Sequence, residues 1–235
     1  MYKLPDPQQP VQIVIRALYA IVLLLLVLLV GIHQMTNISF ASFTADPATV
    51  FGYNPLYGYI SNLGVILWGA CMSVCLFSAL ILNSRRDQSK MIAFFISFGA
   101  LTAVLMLDDL FMFHEKLAPE YLNISEKWVL LTYALYAAGS IYHFRDILFT
   151  HDMKFFIISF AAFASSVLLD QIATRYYFPG EFLFEDGLKF IGIASWLTYF
   201  LNMASTHIMA LMTSNMALQE PSRRKKLLLE RFSHN

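Results

Sequence analysis

Charge is scarce in this chain, and neither sign is in excess. Lys and Arg total 16, as do Asp and Glu, so 14% of the 235 residues are charged and the formal net charge is zero. Soluble domains carry about 25% charged residues, and a nucleic-acid partner calls for a basic surplus. Neither a soluble domain nor a nucleic-acid binder is expected. Cysteine is equally sparse: Cys71 and Cys75 lie four apart in one apolar run. A disulfide framework needs more cysteines at wider spacing, so the pair reads as small helix-packing residues. Proline is missing from the middle of every long apolar run. Transporters often bind their substrate at the midplane between broken helices, and that signal is lacking.

Apolar residues are what the chain has in quantity. They make up 58% of it, with 21 Phe and 11 Met, and the mean hydropathy is +0.59. A helix needs roughly 20 apolar residues to cross the hydrocarbon. Six runs meet that measure, at about 12–32, 57–82, 91–113, 127–148, 153–175 and 187–213. The first holds Ile21 to Val30 without a polar atom, whereas Thr132, Ser140 and His143 dilute the fourth. A signal peptide is the competing reading of the first run. Its n-region is long, however, and Phe43–Thr44–Ala45 puts a bulky residue where cleavage wants a small one. The expected fold is therefore all-α: a polytopic integral membrane bundle of six helices forming one domain over 1–213, followed by a cytoplasmic tail, 214–235.

Orientation follows from the basic residues. With the N-terminus inside, the inner segments hold Lys3, Arg16, Arg85, Arg86, Lys90, Arg145, Lys154, Arg223, Arg224, Lys225, Lys226 and Arg231. The outer segments hold only Lys116, Lys127, Arg175 and Lys189. Both termini are expected in the cytoplasm. The membrane is the plasma or inner membrane in a prokaryote, or a secretory-pathway membrane in a eukaryote. The first outer loop, 33–56, has no basic residue and carries Phe40, Phe43, Phe51 and Tyr53, an interfacial aromatic pattern. The tail run from Arg223 to Phe232 is basic with an apolar flank, suited to anionic lipid.

On that threading the intramembrane acids fall at one depth. Asp108, Asp109 and Glu115 end the third run, Asp170 lies near the end of the fifth, and Glu185 and Asp186 open the sixth with Lys189 a turn deeper. His33 leaves the first run at the same face. A carboxylate in lipid is costly and marks a functional site by default. On the fifth run, Ser159, Ala162, Ser166, Asp170 and Ala173 form a small, polar stripe expected to face the bundle interior. Asp108 and Glu115, seven apart, point the same way on a continuous helix; Asp109 points about 100° away, and His114 rejoins them only if the helix ends.

Six acids against Lys116, Arg175 and Lys189 leave a negative surplus that a cation, solvent or protonation must offset. The metal reading takes Asp108, Asp109, His114 and Glu115 as ligands, with Asp170 and Glu185 as catalytic groups and His33, Asp186 and Lys189 completing the pocket. Imidazole with carboxylate suits Zn, Mn or Fe; an all-oxygen subset suits Ca or Mg. His-Glu-x-x-His and the Glu-x-x-His of di-iron bundles are absent. His143 and His207 are ordinary helix-end histidines, and haem is not expected.

Three functions fit. The first is metal-assisted hydrolysis or modification of a membrane lipid or other amphiphile. The second is cation- or proton-coupled transport or a channel, with Ser195, Thr198, Asn202 and Ser205 continuing the path. The third is a non-catalytic subunit whose charges only orient helices, Lys189 then pairing with Asp186, Glu185 or Asp170. Asn123 with Glu126 is expected to cap the fourth span.

Overall fold

The computed structural model describes residues 9–36, 38–83, 88–150, 153–173 and 180–233, with side chains except at 9–11, 170–173, 181 and 215–233. It is helical, with no strand among the described residues. The chain divides into two compact units, Met1–Tyr59 and Ile60–Asn235.

The first unit is built on α1 (Gln9–Thr36), followed by two single-turn helices, α2 (Phe40–Thr44) and α3 (Pro47–Phe51). Each short helix begins on a side-chain cap. Ser39 accepts from the Ser42 N–H, and Asp46 accepts from the Ala48 and Thr49 N–H groups with Pro47 at the first helical position. Most of the large side chains of α1, Leu23 and Val27 among them, are exposed. A helix apolar on all sides suits lipid rather than water. His33 is held within this unit: its Nδ1 lies 2.6 Å from the Ile38 carbonyl oxygen and its ring stacks on Phe40.

The second unit contains α4 (Tyr59–Leu82), α5 (Ser89–Phe111), a π-helical turn (Phe113–Leu117), α6 (Ala118–Tyr121), α7 (Glu126–His143), α8 (Arg145–Leu148), α9 (Lys154–Ala173) and α10 (Glu181–Ser233). Its core follows the three-to-four-residue period of packed helices. Trp68, Cys71, Cys75, Ala79 and Leu82 of α4 meet Phe94, Phe95, Phe98 and Leu101 of α5 and Trp196, Tyr199, Phe200 and Met203 of α10. The two cysteines are free and buried. Gly99 of α5 sits so close that a Cβ there would lie 3.1 Å from the Cys75 Cβ, the close small-residue approach that membrane helices use.

Among the described residues, three helices are long and apolar enough to cross a membrane: Gln12–Thr36 within α1, α4 and α5. The continuous fourth run expected over 127–148 is broken at Phe144 into α7 and α8. The turn there drives Phe144 and Leu148 into the core, where Phe144 packs edge-on against Phe94. The described part of the fifth run's stripe packs inside the bundle against α10: Ser159 donates to the Gly192 carbonyl and Ser166 to that of Glu185, with Ala162 buried between them. The sixth run extends at both ends, with α10 continuing unbroken through the segment expected as a separate tail.

One expectation is corrected at the α6–α7 junction. Ser125, not Asn123, is the N-cap residue of α7. Asn123 instead takes the left-handed conformation (φ 56°) after α6, where Asn is tolerated, and the Ile124 N–H reaches back to the Ala118 carbonyl.

Candidate functional site

The site begins with the way α5 stops. Met112 is left-handed (φ 50°, ψ 47°) and its N–H bonds to the Asp108 carbonyl. For a residue other than glycine, asparagine or aspartate this conformation costs about 1–2 kcal/mol. The chain then makes a wider turn, with the Leu117 and Ala118 N–H groups reaching back five residues to the Met112 and Phe113 carbonyls. This break overturns the phase relation expected for a continuous helix. Glu115 no longer lies above Asp108; His114 does.

Asp108 is almost completely enclosed. Its Oδ2 lies 2.5 Å from His114 Nδ1, and its Oδ1 accepts from the His114 backbone N–H at 2.9 Å and from the Tyr133 hydroxyl of α7 at 3.0 Å. The other imidazole nitrogen, Nε2, lies 3.6 Å from Glu115 Oε1. His114 stands beyond the end of α5, and its bond to Asp108 holds the imidazole pKa above the ordinary value. Burial works the other way, while the charges of Glu115 and Glu126 add to the rise.

Asp109, one residue and about 100° on, enters a different environment. Its Oδ2 accepts from Trp68 Nε1 of α4 at 2.8 Å, and its Oδ1 pairs with Lys189 Nζ of α10 at 2.7 Å. The expected partners of Lys189 were Asp186, Glu185 and Asp170; among the described side chains it pairs with the cross-helix Asp109. A cleft lined by Ile60, Ser61, Gly64, Asp109, Asp186, Lys189, Phe190 and Ile193 opens beside this pair. Its free volume of about 20 Å³ is room for about one water, which needs ~10–15 Å³ on that measure.

The residues singled out from sequence thus fall into separate groups. Asp108, His114 and Glu115 are brought together; Asp109, Asp186 and Lys189 share the cleft; His33 belongs to the first unit. Glu185 is anchored through its carbonyl by Ser166, and the side chain of Asp170 lies outside the described residues, as do Arg175 and the side chains of the basic tail. No group of three or more His, Cys, Asp or Glu side chains converges in metal-binding geometry among the described residues. The hydroxyls of Thr198 and Ser205 turn back onto carbonyls of α10 itself.

Trp68 and Tyr133 were not anticipated. A buried indole N–H seeks an acceptor, so Trp68, at the depth of the acids, carried a readable signal. Nothing local marked Tyr133.

The model of one protein family matches residues 17–203, most of the chain. The chain belongs to the family described as Domain of unknown function (DUF8692). The matched stretch includes Asp108, Asp109, His114, Tyr133 and Lys189. No curated protein and no solved structure matches the chain.

Proposed function

We propose that this is a six-span integral membrane protein with both ends cytoplasmic, whose outward-facing site binds a divalent metal to hydrolyse or modify a lipid or amphiphile. The observation that carries the reading is the Asp108–His114 pair. A metal-binding histidine characteristically donates its second ring N–H to a carboxylate, which fixes the tautomer and aims the free nitrogen at the ion. Here Nδ1 faces Asp108, and Nε2 is left beside Glu115 at 3.6 Å.

The site residues take revised roles in this proposal. His114 and Glu115 would hold the ion, and Asp108 orients His114. A divalent ion held there would supply Lewis acidity toward a water or the substrate, and Asp170 or Glu185 would serve as the general base. Asp109, saturated by Trp68 and Lys189, is the clamp that holds α4, α5 and α10 together at the site rather than a ligand. The one-water cleft beside it is too small for a lipid headgroup, so the amphiphile approaches at His114.

The test is turnover in reconstituted liposomes containing ester-linked and amide-linked lipids. Product should form with Zn or Mn, stop on chelation, and fall at least a hundredfold in His114→Gln. Metal-independent turnover, or none in any lipid tried with the metal-loaded protein, would overturn the proposal.

A further inference from the structure

We propose that Tyr133 is a positioning residue of this site, acting through Asp108 to keep a single tautomer on His114. The inference rests on the reading of His114 given above. A carboxylate rotates readily about its Cβ–Cγ bond, because that torsion is broad and roughly two-fold. Left to itself, Asp108 would offer either oxygen to the imidazole at varied angles. Two donors on Oδ1, the His114 backbone N–H at 2.9 Å and the Tyr133 hydroxyl at 3.0 Å, remove that freedom.

The backbone donor belongs to the same residue as the ring, so it moves with the ring. Tyr133 comes from α7, 25 residues on in sequence, and is the only one of the two that references Asp108 to another helix. With Oδ1 filled on both lone pairs, Oδ2 is the oxygen left for the ring. Because a carboxylate only accepts, Nδ1 carries the proton of the neutral ring and Nε2 the lone pair. Tyr133 therefore holds in place the carboxylate that selects the nitrogen, although it touches neither nitrogen.

The same α5–α7 seam supplies its own control. One turn along α7, the Tyr136 hydroxyl donates to the Ser97 carbonyl at 3.2 Å. Tyr136→Phe deletes a hydroxyl from the seam without touching Asp108, whereas Tyr133→Phe deletes the one on the carboxylate. Both keep the ring and its packing.

The experiment is nitrogen NMR of the metal-free full-length protein with labelled histidine, well above the His114 titration midpoint, with His114→Gln assigning the signal among the six histidines. The wild type should show one tautomer, with a protonated Nδ1 and a bare Nε2. Tyr133→Phe should show a mixture, and Asp108→Asn should lose the preference altogether, while Tyr136→Phe should match the wild type. An unchanged ring in Tyr133→Phe, or an equal change in Tyr136→Phe, overturns the role of Tyr133 and leaves the reading of His114 standing. A ring indifferent to Asp108→Asn, or a wild type protonated on Nε2, overturns both.

Discussion

Asp108 and Asp109 are neighbours in sequence and in depth, yet they belong to different machines. Asp109 faces a fixed cation, Lys189, and an indole donor from α4. Asp108 faces a titratable ring and a phenol from α7. The 100° step of a helix is enough to give one carboxylate a partner that stays charged across the ordinary pH range and the other a partner whose charge pH can change. Two acids side by side therefore need not form one site, and their charges need not be summed into one surplus.

The largest effect should come from breaking the Asp109 side. Asp109→Asn leaves Lys189 without its counter-charge. Removing one partner of a buried pair costs about 3–5 kcal/mol, and since the Lys189 side chain is 38% exposed the low end, about 3 kcal/mol, applies. The double variant Asp109→Leu with Lys189→Met should recover most of that, because apolar replacement of a whole pair is often neutral. Thermal unfolding in detergent reads both. A double variant as unstable as the single one would mean that Asp109 does more than balance Lys189.

A smaller loss is expected from the seat of α10. A Cβ at Gly192 would lie 2.7 Å from a ring carbon of Phe163, whereas at Gly69 it would meet only the Met106 sulfur at 3.5 Å. Overpacking costs typically 1–3 kcal/mol, so Gly192→Ala should lose about 2 kcal/mol and Gly69→Ala little. Phe163 stacks on Trp68, the donor to Asp109. The disturbance should reach Trp68 fluorescence and leave the His114 ring signals unchanged; the reverse pattern would contradict the division between the two sides.

The smallest effect is the pH dependence of the Asp108 side. His114 has a folded-state pKa above its ordinary value because Asp108 holds its protonated form. Its stabilisation is complete below the unfolded value, about 6.5, and is lost as pH rises through the raised folded value. The stability difference between wild type and His114→Gln should therefore be largest in mild acid and shrink toward alkaline pH. A difference that grows with pH would contradict the assignment.

Much of this was legible from residues alone because it rests on period and composition. Ser159, Ala162 and Ser166 face α10, as a stripe of small residues on one face requires. The divergence of Asp109 from Asp108 follows from helix geometry. What was hidden depends on one backbone torsion. The third run was expected to end near 113, but Met112 adopts a left-handed conformation without being Gly or Asn, so nothing local marked it as the residue where α5 turns. That torsion moves His114 onto Asp108 and Glu115 off it. The partner of Lys189 was hidden for another reason: spacing within one helix suggests Asp186 and Glu185, and only tertiary packing brings Asp109 across from α5.

The central claim is that metal binding belongs to the Asp108 side alone, and calorimetric titration of zinc into the purified full-length protein tests it most directly. Wild type and Asp109→Asn should bind one equivalent with similar affinity despite their difference in stability. His114→Gln should bind none, and Asp108→Asn should bind about 10–100-fold more weakly, as loss of a partner that orients a ligand does. Zinc affinity that survives in His114→Gln but disappears in Asp109→Asn would contradict the account.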